Sequence, residues 1–123
     1  MADVKSFRDL IVWQKAMELV KYIYAVTANF PSSEKYGLTD QTRRSAVSVP
    51  SNIAEGYGRG YTNDYARFLQ IARGSLFEME TQVEIAFSLK YLKDKEYTNI
   101  FDQSIEIEKM LNSLIKKLSV SNK

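Results

Sequence analysis

The chain has 123 residues, enough for one domain with a buried core, and its 45% hydrophobic and 26% charged residues exclude a disordered protein. It has no cysteine and no histidine, which excludes disulfides, thiolate metal sites and the side chains most often used in acid–base catalysis near neutral pH. The formal net charge of +2 is too small to indicate a polyanionic partner by itself. We expect a single domain over residues 1–123, with no cofactor and no metal ion.

Neither the N-terminus nor the hydropathy pattern indicates export or membrane insertion. Residues 1–9 carry charges where a signal peptide needs an apolar core. No stretch reaches the roughly 18 consecutive apolar residues of a membrane span. A cytoplasmic protein without a membrane partner is therefore expected.

The first predicted helix runs from about Asp9, a candidate N-cap, to about Asn29, just before Pro31. Apolar residues at three- and four-residue steps predict one buried stripe, and a second stripe lies about 100° away around the helix. Two stripes indicate a helix buried on two sides, or a single wide core face with the second stripe at its edge. The first stripe comprises Trp13, Ala16, Met17, Val20, Ile23, Tyr24 and Thr27, and the second comprises Val12, Leu19 and Val26.

The second predicted helix starts near Thr39 or Asp40, with Leu38 as a hydrophobic staple before the cap. Pro50 lacks an N–H group and its ring presses on the carbonyl of Ala46, so we predict a bend or a restart there. Short polar side chains are predicted to satisfy the backbone around the proline, namely Ser48, Ser51 and Asn52. Three alternating glycines then predict a turn that ends the helix, since a phosphate-binding loop would follow a strand: Gly56, Gly58 and Gly60.

The third and fourth predicted helices each carry one long apolar stripe. The third begins at Thr62 or Asn63 and ends near Leu89, and the fourth begins at Asp94. Gly74 lies inside the third helix, where glycine costs about 1 kcal/mol relative to alanine, and predicts the close approach of a neighbouring helix. The stripe of the third helix comprises Tyr65, Phe68, Leu69, Ala72, Leu76, Met79, Val83, Ala86 and Phe87, with Ile71, Phe77, Ile85 and Leu89 outside it. The stripe of the fourth comprises Tyr97, Ile100, Phe101, Ser104, Ile107, Leu111, Leu114, Ile115 and Leu118.

Four amphipathic helices with short connections predict an all-α fold, an antiparallel up-down-up-down four-helix bundle whose second helix is kinked at Pro50. The surplus apolar positions on the first and third helices predict a homo-oligomer, because soluble monomers rarely expose large apolar patches. The sequence shows no strand pattern and no low-complexity segment.

The excess positive charge lies in the middle of the chain, where residues 43–73 hold five arginines and only two carboxylates. The guanidinium group suits phosphate, and three interleaved tyrosines, Tyr57, Tyr61 and Tyr65, can stack on bases or pack in the core. Two hypotheses stay open. One is weak, salt-sensitive and sequence-nonspecific binding of RNA or DNA. The other is a protein–protein interaction scaffold with no nucleic-acid ligand, whose ring or groove binds another protein. In either case some of the arginines can pair with carboxylates on the helix faces. The candidate nucleic-acid-binding residues are Arg43, Arg44, Arg59, Arg67 and Arg73.

Catalysis is not expected, and no catalytic residue or small-molecule substrate is evident. Without histidine or cysteine, a general base would have to be Asp, Glu, Lys or Tyr. No carboxylate pair has the spacing of a metal site in a helical bundle. Glu80 and Glu84 lie four residues apart and share a helix face, a pattern typical of a solvated surface.

Three stretches resemble one known family. Residues 43–59 read Arg-Arg-x-Ala-Val-Ser-x-Pro-Ser-Asn-Ile-Ala-Glu-Gly-x-Gly-Arg, residues 7–16 read Phe-Arg-Asp-Leu-x-Val-Trp-Gln-Lys-Ala, and residues 68–76 read Phe-Leu-x-Ile-Ala-Arg-Gly-Ser-Leu. They resemble the four-helix-bundle family named for open reading frames in 23S rRNA intervening sequences, also labelled S23 ribosomal protein. The resemblance implies a small bacterial bundle, often a pentameric ring, without established enzymatic activity. The chain is also similar to the accessory protein of diversity-generating retroelements, a basic pentameric barrel that binds nucleic acid and a reverse transcriptase.

Overall fold

The computed structural model describes residues 3–121, and over that range it contains four α-helices, short 3-10 turns and no β-strand. The helices are α1 (Ile11–Thr27), α2 (Leu38–Gly58), α3 (Thr62–Ser88) and α4 (Asp94–Ser121). Each helix packs against its neighbours in the chain, and α1 also packs against α4, so the four surround one core. The all-α four-helix prediction is confirmed. No helix in the described range is both long and apolar enough to cross a membrane.

The helix α2 runs through Pro50 as one continuous element and does not restart there. The up-down-up-down order and the bend at Pro50 stay predictions. Two of the three polar side chains near the proline bond backbone carbonyls of α2, as predicted, and the third, Ser48, accepts the side-chain amide of Asn52 at 2.9 Å. Ser51 donates to the carbonyl of Val47, and Asn52 donates to the carbonyl of Ser48, both at 2.8 Å.

The core face of α1 contains the whole second stripe but only Ala16, Ile23 and Thr27 of the first. Val12, Leu19 and Val26 are buried, whereas Trp13 and Met17 are only half-buried. The first stripe thus divides, with some members in the core and the others at the outer surface. Periodicity could not rank the two stripes, because side chains that line an outer groove repeat with the same spacing as core side chains.

The predicted caps of α1 and α2 are not the ones that the structure has. Asp9 was predicted to cap α1, and this prediction was wrong. Its carboxylate accepts the N–H groups of Lys5 and Ser6, at 2.9 and 3.1 Å, within the preceding 3-10 turn. Glu34 accepts the N–H group of Leu38 at 3.0 Å, and α2 therefore begins before the predicted cap. A carboxylate that reaches forward from a short turn supplies the partner that the first helical N–H groups need.

The predicted roles of two glycines were wrong. Gly56 is buried inside α2, where an added Cβ would lie 2.6 Å from the Cβ of Phe68, so its small size lets α2 and α3 approach. Gly74 was predicted to allow such an approach, yet an added Cβ there would meet nothing within 4 Å. Gly60 fits the predicted turn, because its φ of +80° lies in the region that favours glycine.

Polar side chains fix α2 against α3. The buried hydroxyl of Ser45 donates to Oε1 of Gln82 at 2.6 Å, and the hydroxyls of Ser48 and Ser75 lie 2.8 Å apart. Ser48 was predicted to act only on its own helix. Because each buried polar group needs its partner, these pairs favour one register of the two helices.

Candidate nucleic-acid interface

Arg43 is a link between α2 and the end of α1. Its Nε donates to Oγ1 of Thr27 at 2.8 Å, and its Nη2 donates to the carbonyl of Tyr24 at 3.2 Å. Its guanidinium carbon also lies 4.5 Å from the centre of the Tyr24 ring. The Tyr24 carbonyl also accepts the N–H group of Ala28 at 3.2 Å. The last turn of a helix carries partial negative charge, so the Arg43 cation stabilises the end of α1.

Arg73 links α3 to α4, since its Nη1 donates to Oδ1 of Asn112 at 2.8 Å. Its side chain is half-buried. Two of the five predicted arginines, Arg43 and Arg73, therefore hold helices together. Neither contact involves a carboxylate.

The other three arginines lie at the surface, each near a carboxylate of its own helix. Their exposed side chains are held by pairs three or four residues apart, the spacing that brings side chains together on a helix face. Surface pairs of this kind contribute about 0–1 kcal/mol. The pairs are Arg44 Nε with Asp40 at 3.0 Å, Arg59 Nη2 with Glu55 at 2.8 Å, and Arg67 Nη2 with Asp64 at 3.9 Å.

The fold brings two of these surface arginines together at the turn between α2 and α3. The guanidinium carbons of Arg59 and Arg67 lie 4.9 and 4.8 Å from the centre of the same ring, that of Phe68. Both distances suit cation–π contacts. Arg44 is 15 residues before Arg59, roughly 20 Å away along the helix at 1.5 Å per residue. The five predicted arginines therefore do not form one patch.

The three predicted tyrosines meet at the same turn, around a cavity of about 200 Å³ that Gly60 and Thr62 also line. The rings of Tyr57 and Tyr65 pack edge to face, with centroids 5.9 Å apart. Burial raises the pKa of the Tyr65 hydroxyl above its usual value, and the neighbouring Tyr57 raises it further. Tyr61 lies on the outside with 73% of its surface exposed. Two of the tyrosines thus pack, and the third is open to a ligand.

A shallow apolar groove of about 340 Å³, here called the α1–α2 groove, lies between the outer sides of these two helices. Sequence reasoning missed it, because the side chains on the α1 side were assigned to the core. A second apolar surface, formed by Ile71, Phe77 and Ile85, is exposed on α3 as predicted. The groove is lined by Trp13, Met17, Val20, Val47, Pro50, Ser51 and Ala54.

Glu80 and Glu84 join α3 to α4. Glu84 is exposed, as expected of a solvated surface, whereas Glu80 is half-buried. Glu80 accepts the hydroxyl of Ser104, which is fully buried, and Glu84 accepts the hydroxyl of Tyr97. Burial raises the pKa of Glu80, the Ser104 hydrogen bond opposes that rise, and the charges of Glu108 and Glu84 add to it. Within residues 3–121, no three acidic side chains are grouped so as to hold a metal ion.

We predict that Glu80→Gln makes the folded protein more stable at neutral pH. A carboxyl group whose pKa is raised by folding stabilises the native state while it is protonated, and this contribution is lost as pH rises above the ordinary value near 4.5. The glutamine carbonyl can still accept the Ser104 hydroxyl, but it carries no charge. Urea unfolding from pH 4 to pH 8 should show the advantage of the variant growing with pH. A constant difference between the two proteins over this range would contradict the prediction.

The chain is similar to a known protein family in sequence and to a solved structure in fold. The family of 23S rRNA-intervening sequence proteins matches residues 8–113. A crystal structure of a protein of unknown function from the S23 ribosomal protein family of Bacteroides thetaiotaomicron has 28% sequence identity and a TM-score of 0.80, covering 86% of this chain and 96% of that chain. Curated proteins give no match, and neither likeness indicates a catalytic activity. Because the family match spans most of the sequence, the chain belongs to the 23S rRNA-intervening sequence protein family.

Proposed function

We propose that this protein is a non-catalytic homo-oligomer that binds RNA or DNA weakly and without sequence preference through surface arginines. The observation that carries the proposal is the pair formed by Arg59 and Arg67, which share the Phe68 ring and keep 46% and 59% of their side chains exposed. Arg44, 80% exposed, adds a separate cation on α2. Arginine contacts to phosphate supply affinity that carries no sequence information and falls with salt.

The nearby carboxylates weaken phosphate binding but do not block it. A guanidinium group has five N–H donors, and Glu55 accepts only one hydrogen bond from Arg59. The 3.9 Å between Arg67 and Asp64 is too long for a hydrogen bond, so the donors of Arg67 are open to a ligand. This balance of charges is the reason that we propose weak binding.

We further propose that copies associate through the α1–α2 groove, which a single protomer leaves open to water. Half-buried Trp13 and Met17 and the exposed Val47 give it an apolar lining of the kind that protein interfaces cover. The family resemblance favours a pentameric ring. Such a ring would repeat the pair of Arg59 and Arg67 around its axis, and phosphate contacts by separate protomers would add.

A triple alanine variant at Arg44, Arg59 and Arg67 tests the nucleic-acid proposal. Fluorescence anisotropy with a labelled RNA, from about 50 to 200 mM salt, should show at least about a tenfold loss of affinity at low salt. The slope of log K against log salt should shrink by about 2, because three phosphate contacts each contribute about 0.7 for a single strand.

The matched control removes the same charge elsewhere, by alanine substitution of three exposed lysines on or next to α4: Lys93, Lys95 and Lys109. Affinity close to that of the wild type is expected for this control. Equal losses in the two triple variants would show that total charge, rather than these arginines, governs binding.

The alternative is a protein–protein interaction scaffold with no nucleic-acid ligand. The α1–α2 groove and the exposed apolar side chains of α3 favour it, because neither needs a basic surface. A wild-type oligomer that retains no RNA or DNA even at low salt would leave the scaffold as the function that the geometry supports.

A further inference from the structure

We infer that the turn between α2 and α3 stacks an unpaired base on Tyr61, so that the protein prefers single-stranded over double-stranded nucleic acid. The inference rests on the proposed function, since nucleic acid is the ligand, and it names both the site and the form of the strand. The site comprises the ring of Tyr61, the cavity beside it, and the guanidinium groups of Arg59 and Arg67, and it is called the turn site below.

Tyr61 is placed to bind and not to pack. Tyr57 and Tyr65 pack against each other, whereas Tyr61 makes no ring contact with any described residue and is 73% exposed. An exposed aromatic side chain alone is ordinary. Here the ring also borders the cavity of about 200 Å³ that the other two tyrosines line, so a planar group lying on Tyr61 would have a concave surface next to it.

The backbone of the turn leaves room for a strand. Gly58 is the last residue of α2 and Gly60 lies in the turn, and a Cβ added to either would meet nothing within 4 Å. Gly60 has a φ of +80°, which larger residues rarely adopt. A sugar–phosphate chain can therefore approach the turn closely, without side chains at these two positions in its way.

The guanidinium groups of Arg59 and Arg67 lie close enough together to bind phosphates of one short nucleic-acid segment. Arg59 and Arg67 contact the same Phe68 ring, so their guanidinium carbons are no more than about 10 Å apart. Phe68 is buried one helical turn after Tyr65, whose ring lines the cavity, so the two arginines lie in the same part of the fold as the tyrosines. Cations at the backbone and an aromatic ring at the base are the combination that binds single strands without reading sequence.

The strand preference follows from stacking. In a duplex each base is stacked and paired inside the helix, so a protein ring at the surface cannot reach its face. A duplex would therefore engage only the arginines of the turn site. An unpaired strand would engage the arginines and Tyr61 together.

The chain contains a matched control for the tyrosine. Tyr36, 86% exposed, lies just before α2, with the ammonium group of Lys35 at 5.4 Å from the centre of its ring. It therefore has an exposed ring, as Tyr61 does, and a cation close to that ring. It does not border the cavity of the turn site.

The test compares the full-length wild type with Tyr61→Ala, Tyr61→Phe and Tyr36→Ala, using labelled oligothymidine and a labelled duplex at low salt. The wild type should bind the single strand more tightly than the duplex. Tyr61→Ala should weaken single-strand binding by between about 5-fold and 150-fold, the range measured for one base–aromatic stack, and leave duplex binding within about twofold. Tyr61→Phe should restore single-strand binding, and Tyr36→Ala should not change it.

A strand containing 2-aminopurine adds a direct readout, since its fluorescence is quenched when the base stacks. The quenching should be present with the wild type and with Tyr61→Phe, and absent with Tyr61→Ala. Single-strand binding and quenching that survive Tyr61→Ala would overturn the inference while leaving the proposed function intact. Failure of the wild type to bind either oligonucleotide at low salt would overturn both.

Discussion

Gly56→Ala is expected to lower the free energy of unfolding by about 2–3 kcal/mol and the midpoint of thermal unfolding by roughly 10 °C. The added Cβ would lie 2.6 Å from the Cβ of Phe68 and 3.3 Å from the backbone carbonyl of Tyr65. A Cβ cannot rotate out of the way, so α2 and α3 would have to separate. The better helix propensity of alanine, about 1 kcal/mol, offsets only part of this cost.

Gly74→Ala is the matched control, because it makes the same substitution inside the neighbouring helix. No atom lies within 4 Å of its added Cβ. The substitution therefore adds only the higher helix propensity of alanine over glycine, and the variant should be more stable than the wild type by about 1 kcal/mol. Urea and thermal unfolding followed by circular dichroism would measure both variants. If Gly56→Ala also proved as stable as the wild type, the close contact of α2 with α3 would be disproved.

The contact at Gly56 also bears on the turn site. Gly56 lies against Phe68 and Tyr65. The Phe68 ring contacts both arginines of the turn site, and Tyr65 lines its cavity. Separation of α2 and α3 would therefore move Arg59 relative to Arg67. The packing of α2 against α3 and the geometry of the turn site therefore both depend on Gly56 having no side chain.

The sequence predicted α3 and α4 well, because on each helix one apolar stripe is longer than any other. Apart from Gln82, their buried side chains, from Phe68 to Ala86 and from Ile100 to Leu111, belong to the predicted stripes. The orientation of α1 could not be predicted, since either of its stripes can face a core. Only the positions of α2 and α4 decide that Val12 is buried and that Trp13 borders a groove.

The candidate interface was predictable where the contacts are local. The pairs of Arg44 with Asp40 and of Arg59 with Glu55 follow from a spacing of four residues on a helix. The bonds from Arg43 to Thr27 and from Arg73 to Asn112 span 16 and 39 residues, and no local pattern indicates them. The sequence therefore predicted five arginines as candidates for nucleic-acid binding, whereas in the fold two of them link helices.

The α1–α2 groove makes a prediction about assembly that does not depend on nucleic acid. Val47 borders both this groove and an adjoining cavity lined by Tyr24 and Arg43. It is 38% exposed in the protomer, so a longer polar side chain there can reach water while the protein is monomeric. In an assembly that covers the groove, the same side chain would be enclosed by apolar groups. An enclosed carboxylate without a partner is destabilising by several kcal/mol.

Val47→Glu is therefore expected to convert a wild-type oligomer into a folded monomer at micromolar concentration. Light scattering coupled to size-exclusion chromatography would measure the mass, and circular dichroism would show that the helices persist. Ile11→Glu is the control, because Ile11 is 61% exposed on the same bundle and does not line the groove. It should keep the wild-type mass. If Val47→Glu also kept that mass, the groove would not be the interface, and a monomeric wild type would refute self-association itself.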